Sequence, residues 1–235
     1  MPMTFALLPS PFLGPAVWEP VAAELRRLGH RVIAPGFGTA APAGPADVLA
    51  ELAGQLPVDQ QLVLVAHSNA GLFAPVLTTL TGATRVVFVD AVLPAGIGPV
   101  PVAPARLVDG VRDKADGDGL LPVWTSWWDE ADVAPLFPDD SVRRRVQSEQ
   151  RRLPLAYLEA TVDVPAGWDR VAGAYLAFGP TYAEEQARAA ARGWPVAVLP
   201  GRHLHMLVDP AAVAAHIVRL AEQVFPAASE QEQGR

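Results

Sequence analysis

The sequence predicts an α/β protein: a mostly parallel, doubly wound sheet with a helical lid inserted into it. Three observations lead there. Short, nearly continuous apolar runs alternate with segments of helical period over residues 1–92 and again from 171. Unbroken apolar strands are what a sheet covered by helices on both faces requires. Between 93 and 170 the alternation stops, and Pro-rich and Trp-bearing stretches replace it. Finally, Leu62-Val63-Leu64-Val65-Ala66-His67-Ser68-Asn69-Ala70-Gly71 runs an apolar strand into a serine set among small residues, and a helix-compatible run from Leu72 to Leu80 follows. That is strand, sharp turn and helix, with Ser68 at the apex, where small neighbours let the two backbones pass closely.

The elements follow in order. Thr4–Leu8 is a buried strand ended by Pro9, and Pro9–Pro15 is a loop by composition. Trp18, Val21, Ala22, Leu25 and Leu28 recur at helical spacing, and Gly29 stands where a C-cap belongs. Arg31–Pro35 is a strand, Gly36–Pro45 a loop, and Ala46–Leu56 a helix stopped by Pro57. Gln61–Ala66 leads to Ser68, and Arg85–Val89 ends on Asp90. Within the lid, helices are expected over 140–152 and 154–160, and Trp124, Trp127 and Trp128 cluster before them. The tryptophans are read both as lid core and as walls of an apolar pocket. Ala174–Phe178 resumes the sheet, Tyr182–Arg192 is a helix, Pro195–Leu199 is the last strand and Pro210–Phe225 the closing helix. The core thus spans 1–92 and 171–227, the lid 93–170, and a polar tail 228–235.

Composition bounds the function. A chain of 235 residues, 51% hydrophobic, carries one large domain or one domain with an insertion. No apolar run reaches the roughly 18 residues of a membrane span. The first residues lack the basic start of a signal peptide, so a cytoplasmic protein is expected. A net charge of −7 argues against a nucleic-acid partner. With no cysteine there is neither a disulfide framework nor thiolate chemistry. The expected partner is a small-molecule substrate, with no cofactor and no metal; the sequence does not fix the oligomeric state.

A serine nucleophile needs a base, and the base needs a carboxylate to hold its tautomer. Of the five histidines, His30 and His216 lie in or beside surface elements. His67 adjoins Ser68 but by strand alternation points to the other side, as a packing or hydrogen-bonding residue. His203 and His205, in the loop after the last strand, remain. A metal pair of the two is a weaker idea, because no third ligand is apparent.

With these residues the chain resembles the α/β-hydrolase superfamily along nearly its whole length. The resemblance rests on the turn at 66–71, on the opening Leu8-Pro9-Ser10-Pro11-Phe12-Leu13-Gly14-Pro15-Ala16-Val17-Trp18, and on Gly201-Arg202-His203-Leu204-His205-Met206-Leu207-Val208-Asp209-Pro210. It implies His203 as the base, seven residues before the proline. The family's common acid position corresponds to Phe178-Gly179-Pro180-Thr181-Tyr182, which holds no carboxylate until Glu184. Members that carry the acid one strand earlier imply Asp90, with Glu184 as the alternative. The family's oxyanion hole implies the N–H of Asn69 and an N–H of the opening loop. Pro11 falls at that loop position and has no N–H, so Phe12 N–H or the Ser10 hydroxyl is expected to substitute. The activity implied is a serine hydrolase cleaving a small-to-medium apolar ester, thioester or lactone. The alternatives are a lyase, eliminase or cyclase moving protons with Ser68 and His203, or a ligand-binding receptor. Serine at 68 excludes the carboxylate-nucleophile branches, epoxide hydrolases and dehalogenases.

Overall fold

A computed structural model describes residues 2–224. The end of the expected closing helix at Phe225 and the polar tail lie outside the described residues. Six strands form one parallel sheet in the order β2-β1-β3-β4-β7-β8. These are β1 (Thr4–Leu8), β2 (Arg31–Ile33), β3 (Leu62–Ser68), β4 (Arg85–Ala91), β7 (Ala172–Ala177) and β8 (Val196–Val198), with β5 (Gly98–Pro101) and β6 (Thr161–Val164) lying in the lid. All seven residues of β3 and of β4 are buried.

Strand alternation splits the core into two layers. Leu62, Leu64 and Ala66 face one layer with Val48 and Leu52 of α2 (Pro45–Ala53) and Leu77 of α3 (Ala74–Thr81). Val63 and Val65 face the other, with Val21 and Leu25 of α1 (Glu19–Arg27) and Val213 and Ile217 of the closing helix Pro210–Gln223. The helix α8 (Ala183–Ala191) connects β7 to β8. Consecutive apolar residues in β3 are thus not redundant: each feeds a different core.

The segment between β4 and β7 carries short helices joined by irregular stretches and adds a two-stranded antiparallel sheet, β5 with β6, that the Pro-rich sequence conceals. Its helices are α4 (Ala105–Val111), α5 (Glu130–Val133), α6 (Asp140–Gln147) and α7 (Leu155–Glu159). Asp139 caps α6, accepting from the N–H groups of Ser141 and Val142. The helix expected to run to 152 stops at Gln147 because Arg151 is drawn inward. Its guanidinium pairs both carboxylate oxygens of Glu51, at 3.1 and 2.8 Å, and stacks on Phe37. A tertiary ion pair outweighs helix propensity there.

Candidate active site

The turn after β3 brings Ser68 to the carboxyl edge of the sheet. Ser68 adopts φ 56°, ψ −130°, a region costly for a residue with a side chain. A 3-10 turn, Asn69–Leu72, follows it. The closest backbone approach falls at Gly71. A methyl group there would run into the main-chain carbonyl of Val92, whereas Ala66 and Ala70 are accommodated and fully buried. The obligatory small residue is thus the glycine one position beyond the usual pattern.

Asp90 is the only other non-glycine residue with positive φ among those described, at 42°. The β3–β4 register explains it. His67 pairs Val89 and Ser68 pairs Ala91, so Asp90 is an extra residue in the ladder. Such a bulge re-aims a side chain. The carboxylate of Asp90 accepts from the N–H of Phe178 through Oδ1, at 3.2 Å, and faces His203 through Oδ2.

The loop after β8 carries His203. Its Nδ1 lies 2.6 Å from Asp90 Oδ2 and its Nε2 3.1 Å from Ser68 Oγ. An ionised Asp90 only accepts, so His203 holds its proton on Nδ1 and Nε2 accepts from the Ser68 hydroxyl. That chain of hydrogen bonds can take a proton from Ser68 as Oγ attacks an electrophile. His67 underlies the loop. It donates from Nε2 to the His203 carbonyl at 3.1 Å, and the two rings lie 4.6 Å apart. Burial, with the neighbouring His203 second, holds the His67 pKa well below the usual imidazole value, which keeps it a neutral donor. His205 instead packs edge-on to Phe178 and over Gly201. Glu184, the alternative acid, is exposed on the first turn of α8, and no bond joins it to His203. Among the described residues no group of three or more His, Asp or Glu side chains is gathered as a metal site.

The opening loop turns on Ser10, whose carbonyl accepts from both Leu13 and Gly14 at 3.0 Å. Its buried hydroxyl accepts from Phe12 N–H at 3.4 Å, long for a hydrogen bond. Phe12 N–H is therefore the loosely held donor of this loop. The N–H of Asn69 opens a 3-10 turn, where no intrahelical acceptor exists. The Asn69 side chain ties the turn to the lid, donating to Val102 O at 3.0 Å and accepting from Tyr157 Oη at 2.9 Å.

A cavity of about 690 Å³ opens above Ser68, walled by Phe12, Leu93, Leu107 and the three tryptophans. Trp127 is 4% exposed and doubles as lid core, its Nε1 bonded to Pro122 O, while Trp128 is 43% exposed at the mouth. Trp124 sits 6.1 Å from the His203 ring. Of the three tryptophans, Trp127 is at once pocket wall and lid core.

What sequence reasoning missed is tyrosine. The chain has three, and each brings its hydroxyl to this site. Tyr157 bonds Asn69, and Tyr175 bonds both the N–H and the C=O of Ala91, next to Asp90, at 3.1 and 2.7 Å. Tyr182 Oη lies 3.4 Å from Ser68 Oγ. Only the last carried a signal: it lies in the segment where a carboxylate was sought and not found.

No protein-family model matches the sequence, and no curated protein matches it. Solved structures do. An extracellular α/β-hydrolase from a Paenibacillus species, described as sharing structural and functional homology with tobacco salicylic acid binding protein 2, is 19% identical. It matches with a TM-score of 0.72 over 94% of this chain and 99% of its own. A variant of tomato methylketone synthase I is 17% identical, with a TM-score of 0.75 over 95% and 99%. Polyneuridine aldehyde esterase is 17% identical, with a TM-score of 0.69 over 94% and 99%. This chain therefore has the α/β-hydrolase fold, from the parallel sheet to the serine turn after its third strand. Among the described residues no helix is long and apolar enough to cross a membrane.

Proposed function

We propose that this protein is a serine hydrolase acting on a small-to-medium apolar ester, thioester or lactone. The observation that carries the reading is the hydrogen-bonded series Ser68 Oγ, His203 Nε2 and Nδ1, and Asp90 Oδ2, beneath a cavity whose walls are largely apolar and which Arg106, Glu184, Glu185 and Arg188 also line. In acylation Ser68 Oγ bonds the carbonyl carbon while His203 Nε2 takes its proton. Asp90 stabilises the imidazolium. The carbonyl oxygen, now negative, accepts from Asn69 N–H and Phe12 N–H. Collapse breaks the bond to the leaving oxygen, which takes the proton from His203, and water repeats the sequence on the acyl-enzyme. The cavity volume lies within the usual range for small-molecule sites, roughly 300–1,000 Å³. The esterase among the fold neighbours supports the same class of reaction.

The test is intact mass after treatment with a fluorophosphonate probe. The expected result is one adduct on the wild type and none on Ser68→Ala. Folded wild type that takes no adduct would overturn the reading.

A second reading, proton transfer without an acyl-enzyme, has one specific observation in its favour. Pro11 removes a backbone donor from the oxyanion loop. A neighbour whose name is a synthase carries the same fold. Turnover of a substrate by protein that never labels would favour it.

A further inference from the structure

Resting on the hydrolase reading, we infer that Tyr182 is a catalytic residue that serves the leaving-group side of Ser68. The argument begins with proton bookkeeping. His203 donates from Nδ1 to Asp90, so its Nε2 accepts the Ser68 proton. The contact between Tyr182 Oη and Ser68 Oγ at 3.4 Å then has one possible direction: the phenol donates and the serine oxygen accepts. That separation is long for O–H···O, and no other bond engages the phenol among the described residues. The donor is held at the nucleophile without being committed to it, as catalytic groups often are before substrate binds.

Topology decides which reacting oxygen it meets. The sheet order runs β1-β3-β4-β7, so the oxyanion loop after β1 and the 180–182 turn after β7 approach Ser68 from opposite flanks. Tyr182 stands on the flank of His203, their rings 5.7 Å apart. The carbonyl oxygen belongs to the flank of Asn69 and Phe12, and the leaving oxygen belongs beside His203 Nε2, which must protonate it. Burial chiefly, with the Asp90 and Glu185 charges adding, pushes the Tyr182 phenol above its ordinary pKa, so it stays a donor across the working pH range.

The step balances without further reagents. As Oγ bonds the carbonyl carbon, its proton passes to His203 and the carbonyl π pair moves to the oxyanion. As the carbon–oxygen bond to the leaving group breaks, its electron pair stays on the leaving oxygen. That oxygen takes the proton from His203 and a hydrogen bond from Tyr182, which keeps its own proton. Deacylation reverses the roles, with the phenol and His203 holding the attacking water.

The test compares kcat/KM, which reports acylation, for ethyl butyrate and p-nitrophenyl butyrate in wild type and Tyr182→Phe. The ethyl ester has a poor leaving group and needs the donor; the nitrophenyl ester does not. The expected result is a loss of about 30-fold on the ethyl ester and under about threefold on the nitrophenyl ester; the larger figure corresponds to about 2 kcal/mol, the size of one hydrogen bond to a charged oxygen. Stoichiometric fluorophosphonate labelling of Ser68, read at completion, and a circular dichroism spectrum like that of the wild type report that Ser68 and the fold are intact. Equal losses on both esters, or no loss on either, would overturn the role of Tyr182 and leave the hydrolase reading standing. A wild type that cleaves neither ester and takes no adduct would overturn both.

Discussion

At the scale of single residues, the site is built from two main-chain distortions and three hydroxyls. Ser68 and Asp90 hold positive φ at neighbouring strand ends, each costing on the order of 1–3 kcal/mol. The surrounding core must over-determine them, and it does: Tyr175 grips both polar groups of Ala91, while β3 and β4 are buried throughout. On the proposed triad, Asp90→Asn is expected to lower kcat by about 10³- to 10⁴-fold with KM little changed, as loss of the carboxylate leaves imidazole in the wrong tautomer. Glu184→Gln is expected to keep kcat within about threefold, since Glu184 is exposed and His203 Nδ1 bonds Asp90 instead. Steady-state kinetics on the two variants check both outcomes, and the reverse ranking would return the acid to Glu184. The positions of Ser68, Asp90 and His203 were legible because residue type, strand ends and chain order agree. The bulge at Asp90 was not, because a parallel-strand register is set by both partners and leaves no mark in either one alone.

At the scale of elements, the serine turn is a junction between strand, helix and lid. Gly71 lets the 3-10 turn lie against the Val92 carbonyl. In Gly71→Ala the methyl group meets backbone, which cannot move aside as a flexible side chain can. The expected cost exceeds about 4 kcal/mol, the range reserved for strain and overpacking, and thermal unfolding should fall by on the order of 10 °C or soluble protein be lost. An unchanged melting temperature would mean that the strand and turn part easily. The lid side of the junction is weaker. Tyr157→Phe leaves the buried Oδ1 of Asn69 without its donor, at an expected cost of about 1–3 kcal/mol read by urea unfolding. The helices and strands of the sheet layers were legible to within a few residues, whereas the short lid helices α4 and α5 were not. The β5–β6 pair was not legible either, because its strands are short and far apart in sequence and β5 carries two prolines. The early end of α6 was hidden for a related reason: Arg151 answers to Glu51, which lies a hundred positions away.

At the scale of the whole molecule, the tyrosines couple the site to the stability of the fold. All three phenols have pKa values raised, chiefly by burial, and the chain has no others and no cysteine. In the unfolded chain they ionise near pH 10. As pH rises through that value the unfolded state gives up protons that the native state keeps, so stability falls with rising pH; below it the contribution is fully present. Tyr157 and Tyr175, sealed in the core, together give a slope approaching about 3 kcal/mol per pH unit once the unfolded phenols ionise, two protons at about 1.4 kcal/mol each. Tyr182 adds a smaller share, because its ring is partly exposed and solvent screens it. The expectation is that phenolate absorbance stays flat while the protein is folded and then rises in one steep step, coincident with loss of the circular dichroism signal. On the hydrolase reading, ester cleavage should persist up to that step, because the donor at Ser68 remains protonated. Phenolate appearing gradually, with one group ionising before the fold is lost, would identify a hydroxyl that water reaches. If activity declined in parallel, that hydroxyl would be Tyr182, and its raised pKa would not survive in solution.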